Sequence, residues 1–300
     1  MKLVSFRTAA AFPGEPGRAA RLGILDGERV VPAADLGPRL PGSMTELLAD
    51  WQPGLSALHD AWATRRRGGA TGSLDANAVE LMAPVPRPGK ILAAGVNYSS
   101  HGEEQNRTPP DHPVMFAKMS TSVVGHGAEI RWSPQLTQAV DFEAELALVI
   151  GRTCRRVDES EAIAHVAGYS CLNDVSARDL QYADKQFVRG KSLDTFCPFG
   201  PALVTADEIP DPQALRVRCL VNGEVMQDAS TSEMVFGVAA LVSFCSQAMT
   251  LEPGDVIATG TPSGVGWYRE PRRMLGDGDE VAVEIERVGR LVNHCREERA

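Results

Sequence analysis

In the stretch "AVDFEAELALVIG", residues 139–151, the acids Asp141, Glu143 and Glu145 stand at alternate positions. On a strand, residues i, i+2 and i+4 share one face, with successive pairs roughly 6–7 Å apart. Phe142, Ala144 and Leu146 make the opposite face apolar, and beyond Leu146 both faces are apolar up to Gly151. The acids therefore run into a core, where an uncompensated charge carries a large desolvation cost. A solvated acidic edge would avoid that cost, and a bound cation would remove it. Oxygen-only ligation suits a hard ion: Mg²⁺, Mn²⁺ or Ca²⁺. Such a site wants a further carboxylate, and Asp174 in "CLNDVSARDLQ" can supply it. The rival role for Asp174 is a helix N-cap that also pairs with Arg178 four residues on.

Other groups could do acid–base work. In "NYSSHGEE", Ser100 precedes Glu103 by three residues, the spacing of a capping box. Glu104 is then left to pair with His101 one helical turn away, and a carboxylate so placed orients an imidazole as a base. An exposed His–Glu pair is also an ordinary surface feature. Gly102 and the polar "QNRTPPD" suggest a mobile segment, a lid that orders on binding. Lys191 in "GKSLDTF" reads by itself as a surface lysine. "TGTPSGVG" lacks the lysine and spacing of a phosphate loop, so close approach of backbone to a ligand is its expected use.

The elements that must position these groups are mostly strands. "KILAAGV", the acidic stretch, "VAGYSCLND", "LRVRCLVNGEVMQ", "GDVIATG" and "DEVAVEIERVGRLVN" all carry strand signals, with an Asn222-Gly223 hairpin turn in the fourth. Helices are expected from about Val175 to Tyr182 and from about Gly237 to Met249. Before residue 80, "LGILDGERVV" reads as a hairpin turning at Asp26-Gly27. "MTELLADW" and "LSALHDAWATRRR" read as helices interrupted by Pro53-Gly54. "GGATGS" and "PVPRPGK" supply linker chemistry. The fold class is a β-dominated α+β protein, with a small N-terminal α+β domain at 1–80 and a larger domain at 81–300.

Composition limits the partners. The chain has 300 residues, 43% of them hydrophobic, and a formal charge of −9. That balance argues against nucleic acid or an anionic membrane surface. Six scattered cysteines read as reduced, buried thiols, and no early apolar run suits a signal peptide, so a cytoplasmic location is expected. "VFGVAALVSFCSQAM" is too short for a membrane span and reads as a buried helix.

Taken in order, "GVNYSSHGEE", "VDFEAELALVIG", "NDVSARDLQ", "GKSLDTFCPFGP" and "PGDVIATGTPSGVG" resemble the fumarylacetoacetate hydrolase family over roughly residues 85–295. The resemblance implies a mixed β-sheet roll and a homodimer. It implies a divalent metal, Mg²⁺ or Mn²⁺, on Glu143, Glu145 and Asp174, with Asp141 behind them. It makes His101 and Glu104 a water-activating dyad, turns Lys191 toward the substrate, and puts Arg178, Gln181 and Thr261 on a keto-acid ligand. Gly125-His126 departs from the Gly-Pro common in relatives. The reaction implied first is C–C hydrolysis of a 2,4-dioxo carboxylate, an acylpyruvate or diketo sugar acid, through a pyruvate-type enolate. The alternative is keto–enol tautomerisation, isomerisation or decarboxylation of an oxaloacetate-like or hydroxymuconate-like acid. A non-catalytic keto-acid binding protein is the rival from another class.

Overall fold

The computed structural model describes residues 1–8, 19–68 and 72–298; residues 69–71 of the expected linker "GGATGS" lie outside them. The central strands alternate apolar residues to both faces, and the chain covers both. Within a long mixed sheet, neighbours run Lys2–Thr8, Cys197–Thr205, Val166–Asn173, Ala144–Ile150, Val256–Ala258, Ile91–Gly95 and Val114–Lys118. Most pairs are antiparallel, but Val256–Ala258 runs parallel to Ile91–Gly95. A second, five-stranded sheet contains Arg216–Val221, Glu280–Ile285 and Gly289–Glu297. Leu146, Leu148 and Ile150 join one apolar core with Val217, Cys219, Val283 and Leu291 of that sheet. Ala147 and Val149, on the other face, pack with Leu3, Leu47, Trp51 and Leu58 of the N-terminal segment. This is the β-dominated α+β roll expected. No helix among the described residues is long and apolar enough to cross a membrane.

The N-terminal segment joins the long sheet directly, with Leu3 opposite Leu203. The expected boundary near residue 80 falls within the strand Val79–Leu81, which pairs back onto Lys2–Thr8. Pro53-Gly54 does not interrupt a helix: Met44–Ala49 ends before Asp50, and Trp51–Gly68 runs through both residues. Pro53 sits in the first turn, where its missing N–H would have had no intrahelical acceptor. The first hairpin turns at Gly27-Glu28, one residue later than expected, because Asp26 pairs with Arg29. Asn222 and Gly223, with φ of 51° and 81°, form the expected turn between Val221 and Glu224.

Two departures shape the site. The acidic stretch is not one strand: Val140–Asp141 pairs with Ser176–Ala177, and a new strand starts at Ala144. Side-chain amides hold the break, since the Glu143 N–H donates to Asn173 Oδ1 at 3.0 Å and the Ala144 N–H to Gln227 Oε1 at 2.9 Å. The helix expected from Val175 begins instead at Arg178 and runs to Asp184, because Ser176 and Ala177 are taken by that short sheet.

This helix crosses the next one, Phe187–Lys191, at Gly190. A Cβ there would lie 2.7 Å from the Gln181 nitrogen and 2.9 Å from the Ala177 carbonyl oxygen. The contact brings Lys191 beside Arg178 and Gln181. Gly190→Ala should therefore force the helices apart, lowering stability by about 1–3 kcal/mol. Urea unfolding measures it, and an unchanged midpoint would contradict the close crossing.

Candidate active site

The second helix ends on Lys191, and the strand Val166–Asn173 ends beside Asp174, so both reach the acids of the central strand. One oxygen from each of Glu143, Glu145 and Asp174 lies within 4.8 Å of the others, and all three side chains are buried. Two ammonium groups penetrate the cluster. Lys191 Nζ donates to Glu143 Oε2 at 2.7 Å and to Asp174 Oδ2 at 2.8 Å. Lys118 Nζ donates to Asp174 Oδ1 at 2.6 Å and to the Lys191 carbonyl. Asp174 is thus not a helix N-cap and does not pair with Arg178; the helix starts too late for that.

Glu143 and Glu145 are pushed in opposite directions. Burial opposes ionisation of Glu143, but Lys191 and Arg178 outweigh it and hold its carboxyl below the usual range. Burial pushes the Glu145 carboxyl well above that range, and the charges of Asp174 and Glu143 push it further. Burial works against the charged form of Lys191, yet Asp174 and Glu143 keep it firmly protonated. Among the described residues Glu145 forms no ion pair within 4.0 Å; it accepts the Gly260 N–H at 2.8 Å. Three buried oxygen donors, one lacking a cation, fit a hard divalent ion.

Asp141 faces away from this cluster. It accepts from Arg178 Nε at 2.8 Å and from the N–H groups of Gly266 and Trp267 at 2.7 and 3.1 Å. Arg178 Nη2 lies between two acids, 2.7 Å from Glu143 Oε1 and 2.8 Å from Asp141 Oδ2. Arg178 Nη1 donates to Gln181 Oε1 at 3.1 Å, which leaves the Gln181 amide N–H₂ free to donate elsewhere. Thr261 Oγ1 accepts from Gln227 Nε2 at 2.7 Å, so its own hydroxyl proton is available.

The "TGTPSGVG" loop organises the site through its backbone. Its N–H groups at Gly260, Gly264 and Gly266 go to Glu145, Glu104 and Asp141, at 2.8, 2.9 and 2.7 Å. Gly266 must lack a side chain, because a Cβ would sit 2.0 Å from the Arg273 carbonyl oxygen. His101 Nδ1 meets Glu104 Oε1 at 2.6 Å on the short helix Ser99–Glu104. No capping box forms there. Tyr98 is the N-cap without a side-chain bond, and Ser100 Oγ accepts instead from the Ser263 N–H at 3.4 Å.

A cavity of about 40 Å³ collects Glu143, His101, Lys191, Arg178, Gln181 and Thr261 on its lining. Asp174 is tied to it through Lys191, and Glu145 has an oxygen within 4.8 Å of those of Glu143 and Asp174. The nine residues singled out in the sequence therefore converge on one place. Lys118 and Gln227 were not singled out. Neither carried a signal in the sequence beyond a strand position, on Val114–Lys118 for Lys118 and on Glu224–Ser230 for Gln227.

Residues 90–296 match the family model described as fumarylacetoacetate (FAA) hydrolase C-terminal. A mitochondrial oxaloacetate tautomerase of Homo sapiens is 43% identical over 98% of this chain and 91% of its own length. Among solved structures, a fumarylacetoacetate hydrolase from psychrophilic Exiguobacterium antarcticum superposes with a TM-score of 0.82 at 36% identity, covering 99% of this chain and 100% of that one. Maleylpyruvate hydrolase from Sphingobium sp. SYK-6, in complex with manganese (II) ion and pyruvate, gives 0.79 at 31% identity, with 100% of both chains covered.

Asp141 holds a buried guanidinium and two loop N–H groups at once. Asp141→Ala should lower stability by about 3 kcal/mol, the low end for breaking a buried pair because Glu143 stays within reach of Arg178. Chemical denaturation tests this, and a loss under 1 kcal/mol would remove Asp141 from the framework.

Proposed function

The chain belongs to the fumarylacetoacetate hydrolase family, and from that premise we propose that it is a divalent-metal-dependent keto–enol tautomerase of an oxaloacetate-like 2-oxo acid. The observation that carries this choice is the 43% identity, across 98% of the chain, with a relative named for oxaloacetate tautomerisation. C–C hydrolysis, put first from the sequence, becomes the second reading; the maleylpyruvate hydrolase likeness at 31% identity and the intact His101–Glu104 pair favour it. A pure binding role is disfavoured by that same pair, since a binder needs no base.

Glu143, Glu145 and Asp174 would hold the cation, and Mg²⁺ or Mn²⁺ suits so compact a carboxylate set better than the larger Ca²⁺. When bound, the ion supplies Lewis-acid polarisation of the keto acid's oxygens. Arg178, Gln181 and Thr261 offer the carboxylate end a guanidinium charge, one free amide and one hydroxyl proton. With Nδ1 occupied by Glu104, His101 has Nε2 left to exchange a proton. Nε2 takes the enol proton from the C2 oxygen, and the imidazolium so formed returns a proton to C3 as the ketone forms. Lys191 stabilises the negative charge that develops on oxygen in between.

Six cysteines, free and buried, support a reducing compartment such as the cytoplasm. The exposed Val114 on the edge strand Val114–Lys118, with Met119 beside it, supports a homodimer.

Millimolar Mg²⁺ or Mn²⁺ should raise the melting temperature by mass action. Glu145→Gln should abolish that rise, and it is cleaner than a change at Glu143, which also holds Lys191 and Arg178. A parent melt indifferent to both ions would refute the metal assignment.

With metal present, the protein should accelerate ketonisation of enol-oxaloacetate, followed by loss of enol absorbance. His101→Ala should reduce kcat by about 10²-fold or more. Cleavage of an acylpyruvate without any acceleration of ketonisation would return the assignment to C–C hydrolysis.

A further inference from the structure

The cavity has three cations on its lining, and only two of them are neutralised. Arg178 and Lys191 sit on its floor, within ion-pair distance of Asp141, Glu143 and Asp174. Arg107 lies on the rim, and among the described residues no carboxylate lies within 4.0 Å of it. Its backbone is held in place, with the Arg107 N–H donating to the Gly102 carbonyl at 2.9 Å, one residue after His101. The charge of Arg107 also bears on Tyr268, whose ring lies 6.2 Å from that of His101.

A charge count says what this rim cation is for. The floor carries four acids, Asp141, Glu143, Glu145 and Asp174, against three bases, Lys118, Lys191 and Arg178. Once Glu145 gives up its proton to bind a cation, one negative charge is left over. A divalent ion converts that to one positive charge, which the carboxylate at the keto end of a 2-oxo acid neutralises. A second carboxylate on the ligand would find no further cation on the floor, and would have to reach the rim. Arg107 offers a planar pair of donors suited to it.

We propose that Arg107 is a specificity-determining residue that binds the distal carboxylate, so that the site selects short 2-oxo dicarboxylates over monocarboxylates. This rests on the reading of the floor as a keto-acid site and deepens it. The residue would touch the C4 carboxylate, beside C3 but not one of the atoms between which the proton moves, so its effect falls on binding more than on turnover.

The test compares oxaloacetate with 2-oxobutyrate, which has the same chain length and a methyl group in place of the second carboxylate. In the Mg²⁺-loaded protein, thermal shift should give oxaloacetate the tighter apparent affinity by about tenfold, and Arg107→Met should remove that preference. Arg107→Lys, which keeps the charge and loses the fork, should restore part of it. Ketonisation kinetics should show the loss in KM for enol-oxaloacetate rather than in kcat. Equal preference in the parent and in Arg107→Met, or no preference in the parent, overturns the proposal. If neither acid shifts the melt of the Mg²⁺-loaded parent, the keto-acid reading of the floor fails too, which distinguishes the two failures.

Discussion

Like charge in a dry place is the constraint on which this structure turns. Three carboxylate oxygens within 4.8 Å of one another, all buried, would, with all three ionised, repel by roughly 3 kcal/mol per pair at an effective dielectric of about 20. Three such pairs together rival the net stability of a whole domain, about 5–15 kcal/mol. The fold answers by driving two lysines and an arginine into the same volume. Lys118 comes from one edge of the long sheet, and Lys191 and Arg178 from two crossed helices. What those cations leave unbalanced is Glu145, and the imbalance is what makes the site receptive to a divalent ion.

The glycine-rich loop is the second structural device, and it works by spending its N–H groups inward. Glu145, Asp141 and Glu104 each take one of them. The loop therefore cannot cradle a phosphate, whose oxygens would need those same donors. Instead it ties the acidic cluster, the Arg178 platform and the His101 helix to a single run of backbone. Gln227 completes the frame from the second sheet, reaching both the Ala144 N–H and Thr261. A shift in either sheet would be felt at the cluster and at the base together.

Division of labour follows from this frame. The charged floor is buried and rigidly paired, which suits recognition of one end of a ligand. His101 and Arg107 sit on a separate segment joined to the floor through Glu104 and the loop. The segment that carries His101 can thus change without disturbing the pairing of the floor. That is one physical route by which a single frame serves tautomerases, isomerases and hydrolases.

The sequence by itself determined the parts of this site that depend on neighbouring positions. The alternation of Glu143 and Glu145, the one-turn spacing of His101 and Glu104, and the Asn222-Gly223 turn are all local. Backbone periodicity and φ preference decide them before any tertiary contact forms. Asp174 came from the need for a further carboxylate, and the resemblance carried by five short motifs added roles for Lys191, Arg178, Gln181 and Thr261. Only the tertiary structure decided that Asp141 and Glu143 fall outside the strand that carries Glu145, that Asp174 meets lysines rather than capping a helix, and that Lys118 and Gln227 belong to the site. Those contacts join residues 56 and 83 positions apart for Lys118–Asp174 and Gln227–Ala144. A contact of that separation is set by which strands pair and where two helices cross, and no local pattern records it.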